Sequence, residues 1–143
     1  MRIEKIIVRD FRSHEFTKVT FTQGINLIIG QNGSGKSSLL DAILIGLYWP
    51  TKPKELKKDS FLRVNGKSTE ITVFFERDGV RYQVHRNITR GIAFAKYYDG
   101  TWHHVTEANQ RAVRDWMEKL IPYDVFVNAI YIRQGEIDAI LES

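Results

Sequence analysis

The most informative stretch of this sequence is Gly30-Gln31-Asn32-Gly33-Ser34-Gly35-Lys36-Ser37. It matches the pattern G-x-x-x-x-G-K-[ST], which in proteins joins a buried strand to a helix. Residues 25–29 before it are apolar and β-branched, which predicts a buried strand. From Ser37 to Tyr48, leucine and isoleucine recur at helical spacing, which predicts a helix. The surroundings therefore predict a strand, a glycine-rich loop and a helix.

The residue types of this loop fit the binding of a nucleoside triphosphate. Gly33 and Gly35 allow the tight turn that points backbone N–H groups at phosphate oxygens. Lys36 is expected to reach the β- and γ-phosphates, and the Ser37 hydroxyl is expected to bind Mg²⁺. A glycine-rich turn that matches by chance is the alternative, but the flanking strand and helix favour nucleotide binding. The predicted phosphate-binding residues are Asn32, Gly33, Ser34, Gly35, Lys36, Ser37 and Ser38.

Length and composition limit the remaining possibilities. A chain of 143 residues with 43% hydrophobic residues is sufficient for one modest domain with a core. The absence of cysteine excludes disulfides and thiolate metal sites, and the net charge of +4 permits a polyanionic partner without requiring one. No apolar run approaches the roughly 18 residues of a membrane helix, so we expect a soluble, cytoplasmic protein.

Strand patterns surround the predicted loop and helix. Strands are predicted over 3–11 and 16–21, and Trp49-Pro50 ends the helix that follows the loop. Alternating residues over 69–77, an Asp-Gly turn at 78–79 and a second at 99–100 predict an antiparallel middle third.

The last third of the sequence is predicted to be mainly helical. We expect a helix from an N-cap at Thr106 to Leu120, with Arg111 and Arg114 on its exposed side. Residues 129–132 predict a strand and 136–143 start a helical pattern without a C-terminal cap. The fold class is therefore α/β with α+β character: an antiparallel β region beside a strand–helix core that carries the loop.

A second carboxylate at the end of a hydrophobic strand, which phosphoryl transfer requires, is missing. Residues 73–76, which end in Glu76, are the nearest match, but they lie in an alternating hairpin strand beside a tight turn. We expect Glu76 to be a hairpin residue that faces solvent. The sequence therefore contains a nucleotide-binding half without a hydrolytic half.

Three motifs together resemble those of one protein family. They are Asp10-Phe11-Arg12-Ser13-His14, the glycine-rich loop continued by Ser38, and Tyr131-Ile132-Arg133-Gln134-Gly135. In combination they resemble the SMC-like ABC ATPases, and more closely the archaeal Rad-fifty-type DNA double-strand-break repair ATPases. The resemblance covers essentially the whole chain. It implies an N-terminal ATPase lobe, residues 1–143, that ends where a long coiled coil begins.

The resemblance also implies a mechanism and partners. A C-terminal lobe from beyond the coiled coil supplies the missing carboxylates and the signature motif, and it pairs with the N-terminal lobe to form one ATPase head. Two such heads then dimerise around ATP and Mg²⁺. Gln134 matches the glutamine expected at the metal and the attacking water, so Lys36 and Gln134 are the candidate catalytic residues, with Ser37 and Gln134 at the metal. Arg12 and Ser13 match positions near phosphate and ribose, and Leu62, Arg63 and Val64 match positions near adenine. Double-stranded DNA ends and an Mre-eleven-type nuclease are the implied partners, which places the protein at the nucleoid.

Two other functions stay open on the sequence alone. A self-contained P-loop kinase for a small substrate would need its own acidic Mg²⁺ ligand, and the antiparallel middle third argues against it. A nucleotide sensor that never hydrolyses ATP is the other. The basic residues of the β region and following helix are more simply explained as ordinary surface charge than as DNA contacts. His103 and His104 are adjacent in a strand and would face opposite ways, which disfavours a shared metal ion.

Overall fold

The computed structural model describes residues 1–12, 14–21, 34–50 and 68–128. For residues 34–38 it describes the backbone only. It contains, in chain order, β1 (Arg2–Phe11), β2 (His14–Thr20), α1 (Ser34–Tyr48), β3 (Glu70–Arg77), β4 (Val80–Asn87), β5 (Ile92–Tyr98), β6 (Trp102–His104) and α2 (Gln110–Leu120). A short helical segment at 123–128 follows α2. The predicted strands at 25–29 and 129–132 and the helical pattern at 136–143 lie outside the described residues.

The six described strands form one antiparallel sheet in the order β2-β1-β3-β4-β5-β6. β1 pairs with β2 on one side and with β3 on the other, so Ile6 lies opposite both Val19 and Val73. The antiparallel middle third is therefore confirmed. Its union with the N-terminal hairpin in a single sheet was not predicted, because pairing between strands distant in sequence leaves no local pattern.

The β3–β4 hairpin confirms the Asp-Gly turn. Asp78 and Gly79 both have positive φ, 52° and 81°, as a type I′ turn requires. Glu76 lies at this end of the hairpin, opposite Arg81, and its carboxylate accepts a hydrogen bond of 2.7 Å from the Gly79 amide. Glu76 therefore belongs to the hairpin turn and does not end a parallel strand.

One face of the sheet packs against α1 and α2 and forms the core. α1 lies very close to β3: a Cβ added at Gly46 would stand 2.9 Å from the Cγ2 atoms of Ile71 and Val73. On α2, Val113 and Met117 are fully buried and Trp116 packs beside them, as the apolar stripe predicted. The two helices thus cover the same side of the sheet.

The start of α2 differs from the prediction. The helix begins at Gln110, and its N-cap is Asn109, whose side-chain oxygen accepts a hydrogen bond of 2.8 Å from the Ala112 amide. Thr106 instead donates its hydroxyl to the Glu107 carbonyl, so its assignment as the N-cap was wrong. Arg114 was also expected on the exposed side, but only 23% of its side chain is exposed.

Candidate nucleotide-binding site

The N-terminus of α1 is the centre of the candidate site. The helix begins at Ser34, inside the glycine-rich pattern and three residues earlier than the sequence predicted. Its first turn carries no acidic side chain. The first N–H groups of a helix have no partner within the helix, and they carry the positive end of its dipole. This helix end therefore offers donors and positive potential to an anion, with no carboxylate of its own first turn in competition.

The described residues include only part of the predicted site. Ser34, Gly35, Lys36, Ser37 and Ser38 lie in the first turns of α1, with the backbone alone described. The predicted site residues outside the described part of the chain are Ser13, Asn32, Gly33, Leu62, Arg63, Val64 and Gln134. Arg12 is described in full, and it contacts the helix that carries the phosphate-binding pattern.

Arg12 lies in the turn that ends β1 and forms an ion pair with α1. Its Nη1 atom donates to Oδ2 of Asp41 at 2.7 Å, and about a quarter of each side chain is exposed. Asp41 follows Ser37 by four residues, so the two positions lie one above the other on the helix. The ion pair thus places the turn after β1 beside the middle of α1, one helical turn beyond Ser37. Asp41 is not among the site residues predicted from the sequence, although its spacing of four residues from Ser37 could have indicated it.

The end of β1 has unusual backbone geometry held by side-chain contacts. Asp10 and Arg12 have φ of 51° and 52°, a left-handed conformation that residues other than glycine adopt at a cost. The Asp10 carbonyl accepts a hydrogen bond of 2.7 Å from the Thr69 hydroxyl, and its carboxylate accepts one of 3.4 Å from the Ser68 amide. Phe11, between them, is fully buried. These contacts stabilise a strained turn that presents Arg12 to α1.

The C-terminal end of α1 is held by a buried cation. Arg86 of β4 is fully buried, and its Nε donates to the Gly46 carbonyl at 2.7 Å. Longer contacts reach the carbonyls of Leu47, at 3.4 Å, and Gln110, at 3.5 Å. Burial, with a smaller effect from Arg114, lowers the pKa of Arg86 to about 9, so the side chain stays charged at neutral pH. A cation at the negative end of the helix dipole stabilises the helix.

Tyr48, the last residue of α1, is fully buried and donates its hydroxyl to the Ile121 carbonyl at 2.9 Å. Burial raises the pKa of this hydroxyl, so it remains a donor at all ordinary pH values. The ring also contacts Tyr123 edge-on, with ring centroids 5.2 Å apart. The segment after α2 therefore fixes the end of α1 from a second direction.

Comparison with known proteins assigns the family. Residues 5–143 match the family described as AAA domain. The chain belongs to this family. It is also 72% identical over 143 residues to the "DNA double-strand break repair Rad50 ATPase" of Thermococcus kodakarensis, with all of this chain and 16% of that protein covered. The corresponding proteins of Pyrococcus abyssi and Archaeoglobus fulgidus are 55% and 38% identical, over 100% and 97% of this chain and 17% and 15% of theirs.

These relatives confirm the resemblance to archaeal Rad-fifty-type ATPases that the three sequence motifs indicated. The chain spans about a sixth of the length of the curated relatives it matches. A solved structure from "Structural biochemistry of ATP-driven dimerization and DNA stimulated activation of SMC ATPases" matches with a TM-score of 0.48 and 21% identity, covering 80% of this chain and 76% of that one. Within the described residues, no helix is long and apolar enough to cross a membrane.

Proposed function

We propose that this chain is the ATP-binding lobe of a DNA double-strand-break repair ATPase. The observation that carries the proposal is the start of α1 at Ser34, inside the phosphate-binding pattern, with a first turn free of acidic side chains. The similarity to proteins named as Rad50 ATPases supports the choice of ATP and of DNA repair. A role in DNA repair would place the protein at the nucleoid.

The residues of the site fit a magnesium–nucleotide ligand. The amide donors of the helix N-terminus offer partners to phosphate oxygens, and the ion pair of Arg12 with Asp41, 2.7 Å long, holds the turn that ends β1 against the same helix. Lys36 would contact the β- and γ-phosphates, and Ser37 and Gln134 would hold the metal. Mg²⁺, when bound, neutralises the negative charge that develops on the phosphates. Gln134 would then orient the attacking water, while Ser13 and Leu62, Arg63 and Val64 would contact the ribose and adenine.

Hydrolysis requires a carboxylate at the end of a hydrophobic strand, and the sequence of this chain does not show one. We infer that a C-terminal lobe supplies the Walker B carboxylates and the signature motif, and that two such heads dimerise around ATP. In that assembly, hydrolysis would control the binding of double-stranded DNA ends and of an Mre-eleven-type nuclease. Residues 1–143 would be the first half of the head and would lead into a coiled coil. Alone, the chain is expected to bind ATP and to hydrolyse it negligibly.

The decisive experiment is thermal unfolding of the chain with and without Mg²⁺ and ATP. Ligand at about a hundred times its dissociation constant stabilises the native state by about 2.7 kcal/mol. For a chain of this size, that corresponds to an increase in Tm of roughly 5–10 °C. Lys36→Ala should abolish the increase. The matched control is Lys119→Ala, on the exposed side of α2, which should retain it. An unchanged increase in Lys36→Ala would show that the phosphates bind elsewhere and would overturn the proposal.

A self-contained kinase is disfavoured because the described strands are all antiparallel and Glu76 belongs to a hairpin. Incubating the chain with ATP, Mg²⁺ and a panel of small acceptors tests this alternative. Robust phosphoryl transfer by the chain alone would replace the proposal with a kinase. A nucleotide sensor would show the same gain in Tm, but its hydrolysis would stay negligible after the C-terminal lobe is added.

A further inference from the structure

The sheet has a second face, opposite α1 and α2, that combines aromatic and basic side chains. We define this outer face by Lys5, Lys18, Phe74, Phe94, Lys96 and Trp102. The strand register places them together: Lys5 lies opposite Phe74, and Phe74 and Lys96 both lie opposite Gln83. Lys18 and Phe94 belong to the neighbouring cross-strand row, which runs through Ile7, Thr72 and His85.

The outer face exposes several large apolar side chains. Phe16, Ile92, Tyr98 and Trp102 all lie on it, and each is between 36% and 56% exposed. Phe16 and Ile92 lie singly, at opposite ends of one cross-strand row, and single exposed apolar residues are common. Tyr98 and Trp102 lie together, with ring centroids 5.1 Å apart, and exposed rings in contact indicate a binding surface. This surface faces away from the helix that carries the nucleotide-binding pattern, so it is a separate site.

Lysine side chains lie over the rings of the outer face. Lys5 Nζ is 4.3 Å from the centroid of the Phe74 ring, and Lys96 Nζ is 4.7 Å from that of Phe94. Within the described part of the chain, no carboxylate lies within ion-pair distance of Lys5, Lys18 or Lys96. The arginines of this face differ, because Arg9 pairs with Glu70 at 3.5 Å and Arg81 pairs with Glu4 at 3.3 Å. The lysine charges are therefore available to an external anion.

A recess of about 410 Å³ opens on this face between its rings and its lysines. Phe74 and Trp102 form an aromatic wall, with ring centroids 6.0 Å apart, and Lys5 and Lys18 lie beside them. Glu4 also lines the recess, where its carboxylate is already paired with Arg2 and Arg81. The recess thus offers flat ring surfaces within reach of unpaired cations.

We propose that the outer face binds single-stranded nucleic acid. Unpaired bases would stack on Phe74 and Trp102, the rings that line the recess, and the phosphates between them would contact the lysines. Phe94 is already stacked on His85, with ring centroids 4.9 Å apart, and supports the neighbouring Lys96. Base stacking on exposed aromatic residues, combined with a basic surface, is how proteins bind single strands without sequence preference. A duplex hides the faces of its bases within its own stack, so it could use only the lysines. The proposal needs no ATP and therefore stands apart from the proposed function of α1.

Fluorescence anisotropy of a labelled oligothymidylate of about 16 nucleotides, a length within the range that single-strand-binding folds cover, tests the proposal. The chain is titrated without ATP, in parallel with a duplex of the same length. We expect tighter binding of the single strand. Phe74→Leu and Trp102→Leu keep apolar area but remove the stacking surface, so each should weaken binding by roughly five- to 150-fold. Lys5→Gln should reduce the slope of log affinity against log salt by about 0.7.

The controls separate stacking from general attraction. Val125→Ala, at an apolar residue 58% exposed outside the sheet, and Lys119→Gln on α2 should leave the affinity within twofold. Circular dichroism melts of every variant would confirm that the fold is retained. Equal affinity for single strand and duplex, with an effect of the lysine change only, would overturn stacking. Unchanged binding in both leucine variants, as expected for a surface that docks a peptide, would overturn it too. Lys36 belongs to α1 and not to the outer face, so Lys36→Ala should bind the oligonucleotide as the wild type does. This result is expected whether or not the thermal unfolding experiment shows binding of ATP.

Discussion

Gly46 lies where α1 contacts β3, and Gly46→Ala is expected to destabilise the fold. The new Cβ would stand 2.9 Å from the Cγ2 atoms of Ile71 and Val73, whereas carbon atoms pack best at about 3.5–4.0 Å. Both neighbours are fully buried and β-branched, so they have few rotamers with which to move away. Two contacts with stiff side chains indicate the upper part of the overpacking range of about 1–3 kcal/mol.

Alanine also favours helix over glycine by about 1 kcal/mol, which offsets part of this cost. The expected net loss in the free energy of unfolding is about 2 kcal/mol, or a decrease in Tm of roughly 4–8 °C. Urea unfolding followed by circular dichroism measures it, with a lower midpoint and an unchanged slope. Val73→Ala removes one of the two contacted methyl groups, so the double variant should lose less than the sum of the single losses, by about 1 kcal/mol. A Gly46→Ala variant as stable as the wild type would refute the close packing of α1 on β3.

Two further predictions concern the ends of the helices. Arg86→Met should lower the free energy of unfolding by about 2 kcal/mol in urea titrations, because the Gly46 carbonyl loses a charged donor at 2.7 Å. A variant of equal or greater stability would mean that the cost of burying the cation exceeds the gain from its hydrogen bonds. Asn109→Ala should cost about 1 kcal/mol by loss of the N-cap of α2, whereas Thr106→Ala, the matched control, should stay within about 0.5 kcal/mol. A larger loss of stability in Thr106→Ala than in Asn109→Ala would mean that Thr106 is the N-cap.

Local patterns in the sequence predicted much of the fold. The Asp-Gly dipeptide at 78–79 predicted its hairpin because a type I′ turn requires positive φ at both positions, and glycine and aspartate tolerate it. The helix after the glycine-rich loop and the apolar stripe of α2 were also predicted from residue spacing. The N-cap was placed wrongly because Thr106 and Asn109 are both suitable cap residues, and residue type alone does not choose between them.

The contacts around the candidate site could not be predicted in the same way. The ion pair of Arg12 joins residues 29 positions apart, and Arg86 reaches carbonyls 39 and 40 positions away. A buried arginine in a strand whose other residues alternate resembles an ordinary surface charge until the neighbouring helix is in place. Gly46 gave no signal either, since a glycine within a helical pattern indicates only a lowered helix propensity. Each of these residues owes its role to the packing of α1 on the sheet.

Three contacts of different physical kinds thus hold α1 on the sheet. An ion pair of Arg12 with Asp41 holds it at the middle of the helix, the missing side chain of Gly46 allows close packing on β3, and Arg86 binds the C-terminal carbonyls. The amides proposed to face phosphate belong to the same helix, so their positions are set by residues that never contact a nucleotide. Because a rigid helix transmits a displacement along its length, a change at Gly46 that lifts α1 would also move its N-terminus relative to Arg12. We therefore expect a variant that displaces α1, such as Gly46→Ala, to weaken the proposed binding of ATP as well as the packing on the sheet.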